Sequence, residues 1–232
     1  MTYRILDMFS GPGGAAIGYA QAGFEVVGVD LFPQPNYPFA WIQADALALD
    51  PRFLRFFDAI HASPPCQAHT AMKTMHNAKA HADLIAPTRR LLQATGLPWV
   101  MENVVGAPLV DAVTLCGTMF GLGAGGYDLQ RHRLFETSFP VGQPECRHTR
   151  GRPVLGVYGG HVRNRKRRNG SADRGVADPS YADGCEAMGL HGLTLGELSQ
   201  AIPPAFTRHI GAALSAHLDA MRAESLPLDM AA

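Results

Sequence analysis

The chain has little of what would mark a secreted, membrane or strongly charged protein. Its 232 residues hold four cysteines, Cys66, Cys116, Cys146 and Cys185, at spacings that build no disulfide framework. No long apolar run interrupts it and no leader-like stretch opens it, so neither membrane insertion nor secretion is expected. Basic and acidic residues balance at 20 each, giving no net charge. A zero total still leaves room for nucleic acid, because the field that binds a phosphate chain is local. No internal repeat is visible. Hydrophobic residues make up 47%, enough for a sizeable core.

Two familiar glycine signatures are also missing. The segment Ile5-Leu6-Asp7-Met8-Phe9-Ser10-Gly11-Pro12-Gly13-Gly14 reads as an apolar strand, a Gly-rich turn and a helix stopped by Gly23. Its spacing is neither the G-x-G-x-x-G dinucleotide fingerprint nor a P-loop, since no Gly-Lys-Ser/Thr follows. A second strand, 24–29, ends in Asp30, where an acid can accept hydrogen bonds from ribose. A cofactor with an adenosine but no pyrophosphate suits this pattern. Pro33, Pro35 and Pro38 shape the next loop, expected as one wall of the adenosine pocket.

Two further strings carry reactive groups. Phe57-Asp58-Ala59-Ile60-His61-Ala62 reads as a short buried strand, ended by Ser63-Pro64-Pro65 and followed by Cys66-Gln67. A thiol on a stiff turn at the carboxyl end of a strand stands where open α/β sheets bind ligands. It can equally be a small buried hydrophobe. Trp99-Val100-Met101-Glu102-Asn103-Val104 is another strand, ending in a polar pair. Glu102 can donate a proton beside the thiol, or simply cap the next turn.

Strands and helices alternate from residue 3 to about 139, which predicts an α/β fold: a mostly parallel, doubly wound sheet with a small second lobe. The expected division is a catalytic and cofactor-binding domain over 1–139, and a recognition lobe over 140–193. A helical return follows over 194–224, with a frayed tail at 225–232. Within the lobe, Val154-Leu155-Gly156-Val157-Tyr158 predicts a strand, and residues 159–183 a polar loop. That loop carries the densest basic run, Arg163, Arg165, Lys166, Arg167 and Arg168. The run can grip phosphates by counterion release, or be a solvated face that touches nothing. Cys146-x-His148, with His161 and Cys185, lacks paired C-x₂₋₄-C spacing, so no metal is expected.

Taken in order, these strings resemble the DNA (cytosine-5)-methyltransferase family. Phe9 to Gly14 resembles its cofactor loop, Pro65-Cys66-Gln67 its nucleophile motif and Glu102-Asn103-Val104 its acid motif. Arg131-His132-Arg133 resembles its Arg-x-Arg motif, and Leu198-Ser199-Gln200-Ala201-Ile202-Pro203-Pro204 the segment that returns to the cofactor. The resemblance implies a class I methyltransferase-like fold and S-adenosylmethionine as cofactor. Phe9, Ser10, Gly11, Gly13, Gly14, Asp30, Leu31, Asp45, Ala46, Pro64, Gln200 and Ala201 would line its site, with Asp45 reading the adenine amino group. It implies Cys66 as nucleophile and Glu102 as proton donor near ring nitrogen 3. Arg133 would meet the carbonyl at carbon 2, Arg131 and Gln67 would support the site, and Asn103 would bond the Pro65-Cys66 backbone. The partner would be DNA with its cytosine flipped out, in the cytoplasm of a bacterial or phage-infected cell. No protein partner is indicated.

The chain departs from that family in several places. Asp30 stands where Glu is usual, and His69-Thr70 where Phe and Ser are frequent. Gln130 lies one position closer to Arg-x-Arg than the usual Gln, and Ser199-Gln200 replaces Gly-Asn. The lobe is much shorter than the family's recognition domain. That keeps single-stranded DNA, RNA or a free cytosine nucleotide open as substrates, and a non-catalytic DNA-binding relative as another class.

Overall fold

The computed structural model of the protein describes residues 2–65, 83–164 and 178–225. Cys66, Gln67, the segment 68–82 that holds His69 and Thr70, Arg165, Lys166, Arg167 and Arg168, and the tail from 226 lie outside the described residues.

The apolar runs form strands as expected. They are β1 (Arg4–Met8), β2 (Glu25–Asp30), β3 (Ala40–Gln43), β4 (Ala59–Ala62) and β5 (Trp99–Asn103), which pair with one another in parallel. Helix α1 (Gly14–Gln21) connects the first two, the short α2 (Pro51–Leu54) precedes β4, and α3 (Ile85–Thr95) precedes β5. The alternation stops there. β6 (Val113–Cys116), β7 (Gly123–Ala124), β8 (Tyr127–Leu129) and β9 (His132–Thr137) follow without an α-helix between them. β9 inserts antiparallel between β5 and β6, giving the order β3-β2-β1-β4-β5-β9-β6. The fold is therefore α/β with a mostly parallel sheet, as the alternation predicts, closed at one side by an antiparallel pair.

Order reverses between β1 and β4: the chain runs outward to β2 and β3, then returns to the other side. Loops leaving adjacent parallel strands diverge at such a point, and the crevice lies beyond their carboxyl ends. Both faces are covered. Ile5, Val26, Val100 and Phe135 pack on one side under α1 and α6 (Pro204–Glu224); Leu6, Met8, Ile60 and Met101 pack on the other with Ile85 and Leu92 of α3. α1 and α6 touch through small residues. A Cβ on Gly18 would sit 2.0 Å from Thr207 Oγ1 and 2.2 Å from the Pro204 carbonyl, so only glycine admits this approach.

The second sheet has the order β11-β10-β8-β7, with β10 (Val154–Tyr158) and β11 (His161–Asn164) joined by a tight turn. Gly159 and Gly160 both have positive φ there, at 58° and 72°, as a two-residue hairpin turn requires. Residues 159–164, expected as part of a polar loop, are thus a turn and a strand; the signal was the Gly-Gly pair after an apolar run. Two of the four strands, β7 and β8, precede residue 139, so the second sheet draws from both sides of β9. Helix α4 (Tyr181–Met188) packs on this sheet. It begins with a capping box in which Ser180 and Asp183 exchange hydrogen bonds. Helix α5 (Leu195–Gln200) and α6 are separated by residues 201–203, and Pro204 is the first residue of α6, where its missing N–H costs nothing.

Among the described residues no helix is long and apolar enough to cross a membrane.

Candidate active site

The described candidate residues gather at the carboxyl ends of β1, β4 and β5. Asn103 closes β5 and is 1% exposed. Its Nδ2 donates to the Pro64 carbonyl at 2.9 Å, while its Oδ1 accepts from the Val104 N–H at 2.9 Å. The expected partner was the Pro65-Cys66 backbone. The observed bond falls one residue earlier, because the turn leaves β4 at Ser63 and presents Pro64, itself buried, to β5. The amide thus ties the acid-bearing strand to the turn that runs directly into Cys66.

Glu102 precedes Asn103 and is 6% exposed. Arg133 Nε lies 3.0 Å from Glu102 Oε1. The register explains the pair. Glu102 stands opposite Phe135, and Arg133 projects from the same face of β9 two residues away, so the two meet diagonally. Burial raises the Glu102 carboxyl above its ordinary value, against the opposing pull of Arg133, Arg131 and a hydrogen bond from Ser63. An acid whose pKa is raised in this way is suited to proton donation.

Ser63 continues into a chain that sequence reasoning missed. His61 Nε2 lies 2.9 Å from Ser63 Oγ, and His61 Nδ1 lies 3.0 Å from the Tyr19 hydroxyl. Burial lowers His61 to a pKa of about 3, so the ring is neutral. One assignment satisfies every member. Tyr19 donates to Nδ1, Nε2–H donates to Ser63, and Ser63 donates to Glu102. His61 was visible as the polar residue inside an otherwise apolar strand, but its partners come from three separate elements.

Arg131 turns away from the acid. Its guanidinium donates to the carbonyls of Val157, Ser199 and Ala201 at 2.6, 2.8 and 3.0 Å. Expected to support the loop around Arg133, it instead fastens the main sheet to β10 and to the end of α5. Three carbonyls converging on one buried cation make it the staple between the two sheets. On the other side of β9, Glu136 accepts both guanidinium N–H groups of Arg89, from α3, at 2.7 Å each. The strand carrying Arg133 is therefore pinned at both ends.

The Gly-rich loop leaves β1 through Phe9 and Gly11, whose φ angles of 58° and 49° are positive. Phe9 holds a left-handed backbone that glycine would adopt freely, so surrounding contacts must enforce it. One enforcer is Asp30. Its Oδ2 accepts from the Gly11 N–H at 2.9 Å and its Oδ1 from the Phe32 N–H at 3.0 Å. Asp45, two residues past β3, caps the turn at 46–48 by accepting from the Leu47 N–H at 2.9 Å. Gly13 and Gly14 face protein rather than the crevice: Cβ atoms there would meet Pro38 at 2.7 Å and the Ile202 carbonyl at 2.3 Å. At Gly11 nothing lies within 4 Å.

This edge fits an adenosine-bearing cofactor on its own chemistry. The Ser10 hydroxyl is buried and has no hydrogen-bond partner among the described residues. Leu31 and Phe32 are 56% and 68% exposed beside Asp30 and offer apolar surface to a base. Two carboxylates, Asp30 and Asp45, flank them. Pro64, Ala46 and Ala201 are buried behind the edge, and Gln200 is exposed. The proline loop inserts Tyr37 beneath it: the Tyr37 hydroxyl donates to Asp7 Oδ2 at 3.3 Å, and a Cβ on Gly28 would meet its ring at 2.4 Å. Asp7 is fully buried, and desolvation raises its carboxyl well above the usual range. Neither Asp7 nor Tyr37 stood out in the sequence, where both pass as ordinary strand and loop residues.

In the lobe, Arg163 is exposed on β11 with its guanidinium 5.4 Å from the centre of the Tyr158 ring. Cys185, considered above with Cys146 and His148, is instead buried in the lobe core beside Met188 and Leu198.

With this geometry in view, comparison with known proteins is decisive for the amino-terminal half. Residues 3–112 match the family described as C-5 cytosine-specific DNA methylase. Over those residues the chain is similar to that family. The matched stretch carries the Gly-rich loop, the Pro-Cys-Gln string and the Glu-Asn pair. No curated protein matches the chain. Solved structures that resemble it include a prophage-encoded E. coli protein named as a DNA modification methyltransferase, at 18% identity and a TM-score of 0.45, covering 62% of this chain and 51% of that one. A Spodoptera frugiperda DNMT2 mutant gives 19% identity and 0.44, covering 62% and 54%. S. pombe Dnmt2 methyltransferase gives 17% and 0.41, covering 58% and 48%. The chain thus spans about half the length of these structures.

Proposed function

We propose that this chain is a cytosine-specific DNA methylase that transfers a methyl group from S-adenosylmethionine to carbon 5 of cytosine in DNA, through a covalent bond to Cys66. One observation carries the reading. The Asn103 to Pro64 hydrogen bond ties the strand that carries a buried acid, its pKa raised by desolvation, to the turn that leads directly into a cysteine.

The chemistry requires each of these groups. Carbon 5 of cytosine is not nucleophilic. Addition of the Cys66 thiolate at carbon 6 gives it enamine character, while Glu102 holds a proton at ring nitrogen 3 and limits the charge that develops there. Arg133, already paired with Glu102, stands beside the ring to meet the carbonyl at carbon 2. When bound, the sulfonium cofactor supplies the methyl electrophile. Loss of the carbon 5 proton to a base, with water the simplest, then lets the thiolate leave and restores the ring. Ser10, Gly11, Asp30 and Asp45 would hold the cofactor, Asp30 through ribose hydroxyls. Duplex DNA must offer the base extrahelically, at a cost of a few kcal/mol. Cys116, Cys146 and Cys185 are all free of disulfides, as suits a reducing cytoplasm, in a bacterial or phage-infected cell.

Asp30→Ala should weaken S-adenosylmethionine binding by about 1–3 kcal/mol, through loss of charged acceptors to ribose and to the Gly11 loop. Calorimetry is the measurement, and unchanged affinity would remove Asp30 from the pocket.

The small lobe limits readout. A good bidentate contact gives about 1–3 kcal/mol of discrimination, and the lobe has room for few. We expect methylation in a loose context of roughly two to four bases. Phosphate contacts from Arg163, Arg165, Lys166, Arg167 and Arg168 would position DNA without reading it. Replacing all five with Gln should weaken binding about equally for every sequence and flatten the salt dependence. Label transfer to duplex DNA, single strands, RNA and free dCMP tests the substrate, and bisulfite sequencing of a treated plasmid tests the context. A strict site of about six bases would contradict the loose readout.

A further inference from the structure

Four metal-binding side chains meet on the face of β9 that points away from Glu102. Cys116 ends β6, and His132 begins β9 directly opposite it in the antiparallel register. Paired residues project to the same side, so a thiol and an imidazole stand next to each other. Cys146 and His148 come from the segment after β9, which has no regular structure over 140–149. Their spacing of one intervening residue lets both side chains reach the cross-strand pair.

The donor atoms lie within 4.8 Å of one another. Cys146 Sγ is 3.1 Å from His148 Nε2 and 3.7 Å from His132 Nε2, and Cys116 Sγ is 3.4 Å from His148 Nε2. Tetrahedral zinc, with bonds of about 2.3 Å to sulfur and about 2.0–2.1 Å to nitrogen, sets its donors roughly 3.3–3.8 Å apart. The cluster is close to that spacing before any ion is considered. Thr118 adds outer support, its Oγ1 lying 3.2 Å from Cys116 Sγ and 3.7 Å from Cys146 Sγ, as a hydroxyl donor to thiolates would.

We propose that Cys116, His132, Cys146 and His148 bind one zinc ion that staples residues 140–149 to the β6–β9 edge. Two thiolates and two imidazoles select zinc among common divalent ions, and four protein ligands leave no open position for a substrate. The site is structural. It needs something to fix it: the described side-chain ties from this segment back to the sheet and to α6 are few, Gln143 to the Thr114 N–H at 2.8 Å and the Gly142 carbonyl to His209 at 2.7 Å. It also fixes His132, the residue between Arg131 and Arg133.

The test uses the full chain, purified without a histidine tag and measured by elemental analysis after brief dialysis. About one zinc per chain is expected. Cys146→Ser and His148→Gln alter exposed ligands, so the fold should survive by circular dichroism. Each should lower retained zinc about tenfold or more. Cys185→Ser should retain the full amount. Cobalt added to metal-stripped protein should give the visible bands of a tetrahedral ion together with thiolate charge transfer, and both should vanish in Cys146→Ser. Zinc content unchanged in the Cys146 and His148 variants would overturn the assignment. So would metal-free protein whose peptide map shows a Cys116–Cys146 disulfide, or cobalt spectra without thiolate bands.

Discussion

Cys66→Ser is expected to abolish methyl transfer while leaving the fold and cofactor affinity intact. Serine's hydroxyl is far less acidic than a thiol, so it supplies no usable anion at neutral pH. Without addition at carbon 6, carbon 5 never becomes a nucleophile, and no rearrangement of neighbours compensates. DNA containing 5-fluorocytosine makes the covalent step visible. Fluorine at carbon 5 replaces the proton that must leave, so elimination fails and the wild-type enzyme stays attached through the sulfur. Intact-mass analysis should show protein plus oligonucleotide plus one methyl group in the wild type, and nothing in the variant. A wild-type enzyme that methylates DNA yet forms no adduct at Cys66 would end the covalent mechanism. The prediction draws on the sequence string and on Asn103, which anchors the carbonyl two residues before the thiol.

That string was legible because it combines a short apolar run with two prolines, and both features act locally. The same holds for the strand, Gly-rich turn and helix at the amino terminus, and for the Glu-Asn pair ending β5. What could not be read is whatever depends on register between distant strands. β9 runs antiparallel between β5 and β6, and nothing local in His132–Thr137 distinguishes that from another parallel strand. The position decides much of the site. It brings Arg133 diagonally to Glu102, turns Arg131 toward three carbonyls of other segments, and sets His132 opposite Cys116. A search for paired cysteines at short spacing fails here, since two of the four donors are cross-strand neighbours. The hydrogen-bond chain from Tyr19 through His61 and Ser63 is opaque for a related reason: it crosses from α1 to β4 to β5. Helix α4 begins inside the expected polar loop, and its local signal is the spacing of Ser180 and Asp183, which start a helix by capping it.

Glu102→Gln should lower turnover by about 10²–10⁴-fold with DNA affinity little changed, because an amide can donate a hydrogen bond but cannot transfer a proton. Two pH dependences separate this role from a merely structural one. On the proposed mechanism, activity requires the thiolate of Cys66 and the protonated form of Glu102, so it should rise with pH and then fall once Glu102 is ionised. The falling limb should disappear in the variant, leaving only the rise. Stability gives the second. Burial outweighs the attraction of Arg133 and Arg131 and raises the folded-state pKa above the ordinary value of 4.5. The fold therefore favours the protonated acid. Its contribution is complete below the unfolded pKa and is lost as pH rises through the folded one. Wild-type urea midpoints should carry this loss across the window that begins near 4.5 and ends above the folded pKa. Glutamine imitates the neutral acid and still offers Arg133 an oxygen, so the variant should lack that loss and become relatively more stable toward alkaline pH. Parallel pH profiles of stability in the two proteins would mean that the fold leaves the Glu102 pKa unshifted, and the proton donor would have to be sought elsewhere.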